Sequence, residues 1–257
     1  MEIINRGTPK TPIKSAIFDF DGTISTLRHG WESVMEPLMI ELLGEESGVV
    51  VRDYISESTG LQTIFQMKWL AEQVKQRKGR ALDPWDYKTE YNNRLMAMVS
   101  KRRQMLVGGM AKRGEFLISG SETLLWELCK RGVSVYIASG TDDPDVKAEV
   151  EALGLTKYAV KIAGAPIGKE NCSKERVIDE LISGGMSVDE LAVVGDGKVE
   201  IAIGHKVGAR TLGVASNEEA RCGVDMVKRD KLIKAGANVI VGDFVEVDKI
   251  MRFFMGE

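Results

Sequence analysis

The chain has 257 residues, of which 44% are hydrophobic and 28% charged, and its 35 Lys and Arg against 38 Asp and Glu leave a net charge of −3. That is an ordinary globular composition, long enough to bury a core without disulfide or zinc staples and to form one large domain or two modest ones. No global charge excess draws it to nucleic acid or lipid, and no stretch approaches the ~18 uninterrupted apolar residues of a membrane span.

Cys129, Cys172 and Cys222 are too scattered for a disulfide framework or a zinc site. They fit a reducing cytosol, and the N-terminal stretch has no apolar core of the signal-peptide kind, so a cytoplasmic protein is expected.

In chain order, a short apolar strand is predicted over 13–20, closed by the acidic turn Asp19-Phe20-Asp21-Gly22-Thr23. From 24 to 114 the signals are helical. Residues 31–43 repeat apolar positions at helical spacing, with Pro37 as a kink or interruption. Residues 51–78 form a long run that Gly60 breaks, and Asp83-Pro84, an N-cap followed by a first-turn proline, opens a helix over 83–106.

From 116 onward helices and strands alternate. Helices are expected over 121–132, 143–154, 173–183, 198–208, 225–236 and 246–254, and strands over 133–139, 158–164, 190–196, 209–216 and 238–244. Such alternation means a parallel sheet with helices on both faces, an α/β fold with a Rossmann-like core. A helical block of about ninety residues is too long for a loop. The predicted organisation is therefore a core domain of residues 1–24 and 115–257, with an inserted helical cap domain of residues 25–114.

In an open parallel sheet, ligands bind beyond the carboxyl ends of the strands. The predicted strands end in a coherent set there: Asp19 and Asp21, then Ser139-Gly140-Thr141, then Asp196 with Glu200 four residues on, and Lys169 and Lys174 in the loop before the third helix of the core. Several carboxylates in one cleft repel one another unless a hard divalent cation neutralises them, and oxygen ligands suit Mg²⁺. A hydroxyl and backbone N–H groups at a strand-to-helix turn make a phosphate seat. Asp19 is placed to attack phosphorus, with Asp21 as general acid and base and a lysine beside the phosphoryl group.

These residues resemble the haloacid dehalogenase superfamily. Asp19-Phe20-Asp21-Gly22-Thr23 matches its DxDGT motif, Ile137-Ala138-Ser139-Gly140-Thr141 its second motif, and Gly195-Asp196-Gly197-Lys198-Val199-Glu200 its GDGxxE motif. The resemblance covers essentially the whole core, and an insertion between the first and second motifs is similar to members with a type-1 cap, such as phosphoglycolate-phosphatase-like and β-phosphoglucomutase-like proteins. It implies Asp19 as nucleophile and metal ligand, and Asp21 as acid/base that also lends its backbone carbonyl to Mg²⁺. Asp196 is a further ligand, Glu200 ligates directly or through water, and Ser139, Gly140 and a lysine hold the phosphoryl group. The lysine is Lys174, at the start of its helix, or else Lys169. An aspartate at position 21 argues for phosphoryl transfer from oxygen, so a phosphatase acting on a small phosphorylated metabolite is expected. A sugar phosphomutase and a non-catalytic phosphometabolite-binding regulator are the alternatives.

The cap is basic: between residues 66 and 113 it has 12 Lys or Arg against 4 Asp or Glu. A positive lid would attract an anionic substrate, while solvated helix faces explain most single residues equally well. Arg94, Arg102 and Arg103 are candidates for substrate contact, as are Gln62 or Thr63 beside the Gly60 break and His29 where the chain enters the cap. No nucleic-acid reading motif is present.

Overall fold

The computed structural model describes residues 1–5, 11–170 and 173–257. Ser-Ala-Ile-Phe is buried at every position of strand β2 (Ser15–Phe18), as expected of a central parallel strand covered on both faces. Pleating sends Phe18 to one face and Ile17 to the other. Strand β2 pairs in parallel with β3 (Ser134–Asp142) on one side and β5 (Leu191–Gly195) on the other, with Phe18 opposite both Ile137 and Val194.

The sheet is completed by β4 (Ala159–Ala165), β6 (Arg210–Val214), β7 (Val239–Val241) and β1 (Glu2–Ile3), in the order β1-β7-β6-β5-β2-β3-β4. Only β1 runs antiparallel among the described strands. It is a two-residue edge strand whose side chains are exposed, and it carries no periodicity that a sequence reading could detect.

Five helices lie in sequence between β2 and β3, and the first four make up the inserted block: α1 (Glu32–Leu43), α2 (Gly48–Glu57), α3 (Thr63–Lys78) and α4 (Pro84–Val107). Pro37 is accommodated inside α1, which stays one helix. The expected break at Gly60 falls between α2 and α3, where its φ of 85° suits glycine. Asp83 caps α4 by accepting from the Trp85 amide at 2.9 Å. Met35, Met39, Met67, Leu70, Tyr91, Leu95 and their neighbours form a hydrophobic cluster of their own, distinct from those of the sheet.

Six further helices cover the sheet: α5 (Ser121–Lys130), α6 (Asp143–Ala152), α7 (Ser173–Ser183), α8 (Lys198–Val207), α9 (Met226–Lys234) and α10 (Val247–Met255). Helices α5, α6 and α10 pack on the Phe18 face, α7 on the Ile17 face. Cys129 is half-buried and Cys222 exposed, while Cys172 lies outside the described residues. No helix among the described residues is long and apolar enough to cross a membrane.

Polar contacts tie the inserted helices to the carboxyl edge of the sheet. Lys88 of α4 reaches both oxygens of Asp142 at 2.6 Å, and Asn92 adds a bond at 3.0 Å. Lys231 donates to the Ser56 carbonyl at 2.8 Å. Arg102 donates to the carbonyls of Leu27 and His29 at 2.7 and 2.8 Å, pinning the segment by which the chain leaves the sheet. That is the structural place of Arg102.

Candidate active site

Because β5, β2 and β3 are neighbours in register, Asp196, Asp19 and Ser139 emerge side by side at their carboxyl ends. The Asp19 amide donates to the Val194 carbonyl at 2.8 Å, holding its side chain at the floor of a cleft. Lys174, in the first turn of α7, is 4% exposed and has its Nζ 3.2 Å from Asp19 Oδ1 and 2.7 Å from Glu200 Oε2. The other oxygen of Glu200 accepts from the Gly197 amide at 2.6 Å, so this carboxylate both caps α8 and fixes Lys174. Burial opposes the Lys174 charge, but Asp19 and Glu200 outweigh it and hold its pKa well above the usual lysine range.

Asp196 accepts from Thr23 Oγ1 at 3.1 Å and from Lys228 Nζ at 2.7 Å. Gly22 has to be glycine here. Its φ is 74°, and a Cβ would lie 2.2 Å from Asp196 Oδ2.

The two oxygens of Asp21 differ. Oδ2 accepts from Ser139 Oγ at 3.1 Å and Thr141 Oγ1 at 2.8 Å, whereas Oδ1 is buried without a hydrogen-bond partner among the described residues. Ser139 Oγ in turn accepts from the Thr141 amide at 3.0 Å.

Asp19, Asp196 and Glu200 each bring an oxygen within 4.8 Å of the other two. Burial, together with Glu200, Asp196 and Asp21, pushes the Asp19 carboxyl well up despite Lys174. Asp196 is likewise raised by burial and by Glu218 and Glu200, against the pull of Lys228. Such crowding of oxygen donors, short of positive charge, fits a hard divalent cation of the Mg²⁺ kind.

The cluster opens into a cavity of about 450 Å³, walled on the far side by the inserted helices. Asp19, Asp21, Ser139, Gly140, Lys174 and Asp196 line it, while Lys169 is exposed outside it. From the inserted helices come Thr63, Gln66, Lys88, Tyr91 and Asn92. The other predicted contacts are not brought to the cavity. Arg94 is held on the helix surface by Glu41 and Glu90, at 2.9 and 2.6 Å. Arg103 is half-buried away from the lining. Gln62 is buried outside the lining, its amide donating to the Lys169 carbonyl at 3.4 Å, while its neighbour Thr63, the other candidate at that break, lines the cavity together with Gln66. His29 stands outside the lining, with its Nδ1 3.6 Å from Glu218 Oε2.

The sequence model of the haloacid dehalogenase-like hydrolases matches residues 13–208, about three quarters of the chain and every strand that carries the cluster. The chain belongs to this family.

No curated protein shows significant sequence similarity to it. Solved structures resemble this haloacid dehalogenase-like hydrolase over nearly its full length. A beta-phosphoglucomutase from Clostridium difficile is 14% identical, with a TM-score of 0.65 over 95% of this chain and 100% of its own. A predicted phosphoglycolate phosphatase from Haemophilus somnus 129pt is 14% identical, with a TM-score of 0.63 over 93% and 97%. A phosphonoacetaldehyde hydrolase-like protein from Oleispira antarctica is 16% identical, with a TM-score of 0.65 over 100% and 99%. At these identities the likeness speaks for the fold, one that phosphatases and phosphomutases share.

Two residues of this hydrolase's site escaped the sequence reading. Lys228 bonds Asp196 and also Glu218 Oε1 at 2.6 Å. Its signal was a lysine in the first turn of α9, where the helix dipole disfavours positive charge. Arg28, between the first motif and α1, lines the cavity, and its partner Glu149 lies 121 residues away. No local pattern announces that pair.

Proposed function

We propose that the protein is a Mg²⁺-dependent phosphatase acting on a small phosphorylated metabolite through an aspartyl-phosphate on Asp19. The observation that carries this reading is the pairing, in one cavity, of a buried carboxylate fixed by an ammonium group with a second carboxylate that keeps one oxygen unbonded. Lys174 orients Asp19 and lends positive charge to the phosphoryl group, which Ser139 and the Gly140 turn help to seat. An Asp19 oxygen forms the new bond to phosphorus as the bond to the leaving oxygen breaks, and that oxygen takes the proton of Asp21. Water then attacks phosphorus, passing its proton to Asp21, and Asp19 is released with inorganic phosphate.

Asp19, Asp196 and the Asp21 backbone carbonyl would hold Mg²⁺, with Glu200 directly or through water, and the ion would neutralise charge on the phosphoryl oxygens. Residues 25–114 act as the cap, closing the cavity against bulk water and reading the leaving group. A cytosolic setting is part of the same proposal.

The test is phosphate release from a panel of phosphorylated metabolites, with Mg²⁺ and with EDTA. Mg²⁺-dependent release centred on one chemical group supports the reading. Isomerisation of a sugar phosphate without release favours a mutase, and silence from folded protein favours a phosphometabolite-binding regulator.

A further inference from the structure

Asp21 Oδ1 poses a problem that the surrounding residues solve in an unusual way. A buried carboxylate oxygen without a hydrogen bond is costly, and the nearest cation to it is Arg28, with Nε at 3.8 Å. That distance is electrostatic contact and too long for a hydrogen bond.

Arg28 is kept from closing the gap. Its Nε–H is shared between the two oxygens of Glu149 at 3.1 and 3.2 Å, and its Nη2 donates to Glu149 Oε1 at 2.7 Å. Glu149 is fully buried on α6, whose Val146 and Val150 are locked into the sheet's core. Nη2 also lies 3.7 Å from Asp145 and 3.8 Å from Met96 Sδ of α4. The guanidinium is thus clamped between the core and an inserted helix, with its Nε and Nη2 donors committed to Glu149.

We infer that Arg28, clamped by Glu149, is a positioning residue for Asp21. Its charge, 3.8 Å from the buried Oδ1, holds that side of the carboxyl group in place without a hydrogen bond. Ser139 and Thr141 anchor Oδ2 from the other side, so the carboxyl group is held between two hydroxyls and the clamped guanidinium. This inference rests on the reading of Asp21 as general acid, and it adds a residue that acts through Asp21.

The test exploits leaving-group basicity. Phenyl phosphate releases a phenol of pKa about 10, which needs protonation, whereas p-nitrophenyl phosphate is nearly the same size and releases a far weaker base. The double variant Arg28→Gln/Glu149→Gln removes the clamp without leaving Glu149 as an unpaired buried charge. We expect its kcat/KM to fall about tenfold or more further on phenyl phosphate than on p-nitrophenyl phosphate, chiefly in kcat, with the Mg²⁺-induced thermal shift retained. Arg28→Lys keeps the charge beside Glu149 but loses the planar fork, and should show the same selective loss in weaker form should the double variant not fold. Equal losses on both esters, or no loss on either, overturn the inference and leave the phosphatase reading standing. Release of phosphate by the unmodified protein from neither ester and from no member of the metabolite panel overturns that reading first, and the inference with it.

Discussion

Replacing Lys174 by Met removes the single cation that sits between two buried carboxylates. At an effective dielectric of about 20, an ammonium 3.2 Å from Asp19 and 2.7 Å from Glu200 gains roughly 5 and 6 kcal/mol of Coulomb energy. Desolvating the ammonium costs several kcal/mol and offsets much of that, so the net loss on truncation should be about 3–5 kcal/mol. For a chain of this size that corresponds to a fall in melting temperature of roughly 6–20 °C, at about 2–4 °C per kcal/mol.

The loss should depend on pH in one direction. Without Lys174, the Asp19 carboxyl, already pushed up by burial and its neighbours, moves higher still. A folded-state carboxyl pKa above its unfolded value of about 4 makes stability fall as pH rises past that value. Urea denaturation of metal-free protein should therefore show a larger gap between variant and parent at pH 8 than at pH 5. Adding Glu200→Gln to Lys174→Met should recover part of the loss, because it removes one of the two stranded charges. A loss below about 1 kcal/mol would mean that the site is hydrated and the pairing worth no more than a surface ion pair, which would refute the argument.

Mg²⁺ at about a hundred times its dissociation constant should stabilise the folded chain by about 2.7 kcal/mol, a thermal shift of roughly 5–11 °C that EDTA reverses. Asp196→Asn should abolish the shift, and a shift that survives in that variant would place the cation elsewhere. Glu218 is pushed up by burial, but His29 and Lys228 outweigh this and hold it at about 2. Its contribution is therefore present above pH ~4.5 and lost as pH falls towards 2, with a ceiling of about 3 kcal/mol. Denaturation at pH 7 and at pH 3.5 should show Glu218→Gln about 2–3 kcal/mol less stable than the parent at the higher pH, with about a third of that gap lost at the lower. A gap that stays constant with pH would show that Glu218 does not act as a charged partner.

The sheet was legible because its central strands are short apolar runs, and Asp19, Ser139 and Asp196 stand at or near their carboxyl ends. Position in the chain was enough to put them at one edge, since a parallel sheet aligns its carboxyl ends. Lys174 could be preferred to Lys169 because Ser173 opens α7 and sets the next residue on the first turn. What local pattern could not give was partnership across the fold. Arg28 and Glu149 meet only when α6 packs beside the segment leaving β2, and Lys228 reaches Asp196 only through the loop after β6.

The basic stretch of the inserted helices misled in a different way. Counting charges measured the excess but not the face that carries it, and Arg94 spends its charge on Glu41 and Glu90 at the surface. Lys88, whose charge does reach the cavity wall, is tied to Asp142.

The central claim is covalent transfer to Asp19, and it can be observed directly. Protein mixed with Mg²⁺ and a phosphoryl donor that it hydrolyses, quenched in acid within one turnover and digested, should carry a phosphoryl group on the peptide containing Asp19. Asp19→Asn should carry none and release no phosphate. Turnover without label at Asp19, or phosphate release undiminished in Asp19→Asn, would contradict the mechanism, because the amide cannot form the aspartyl-phosphate.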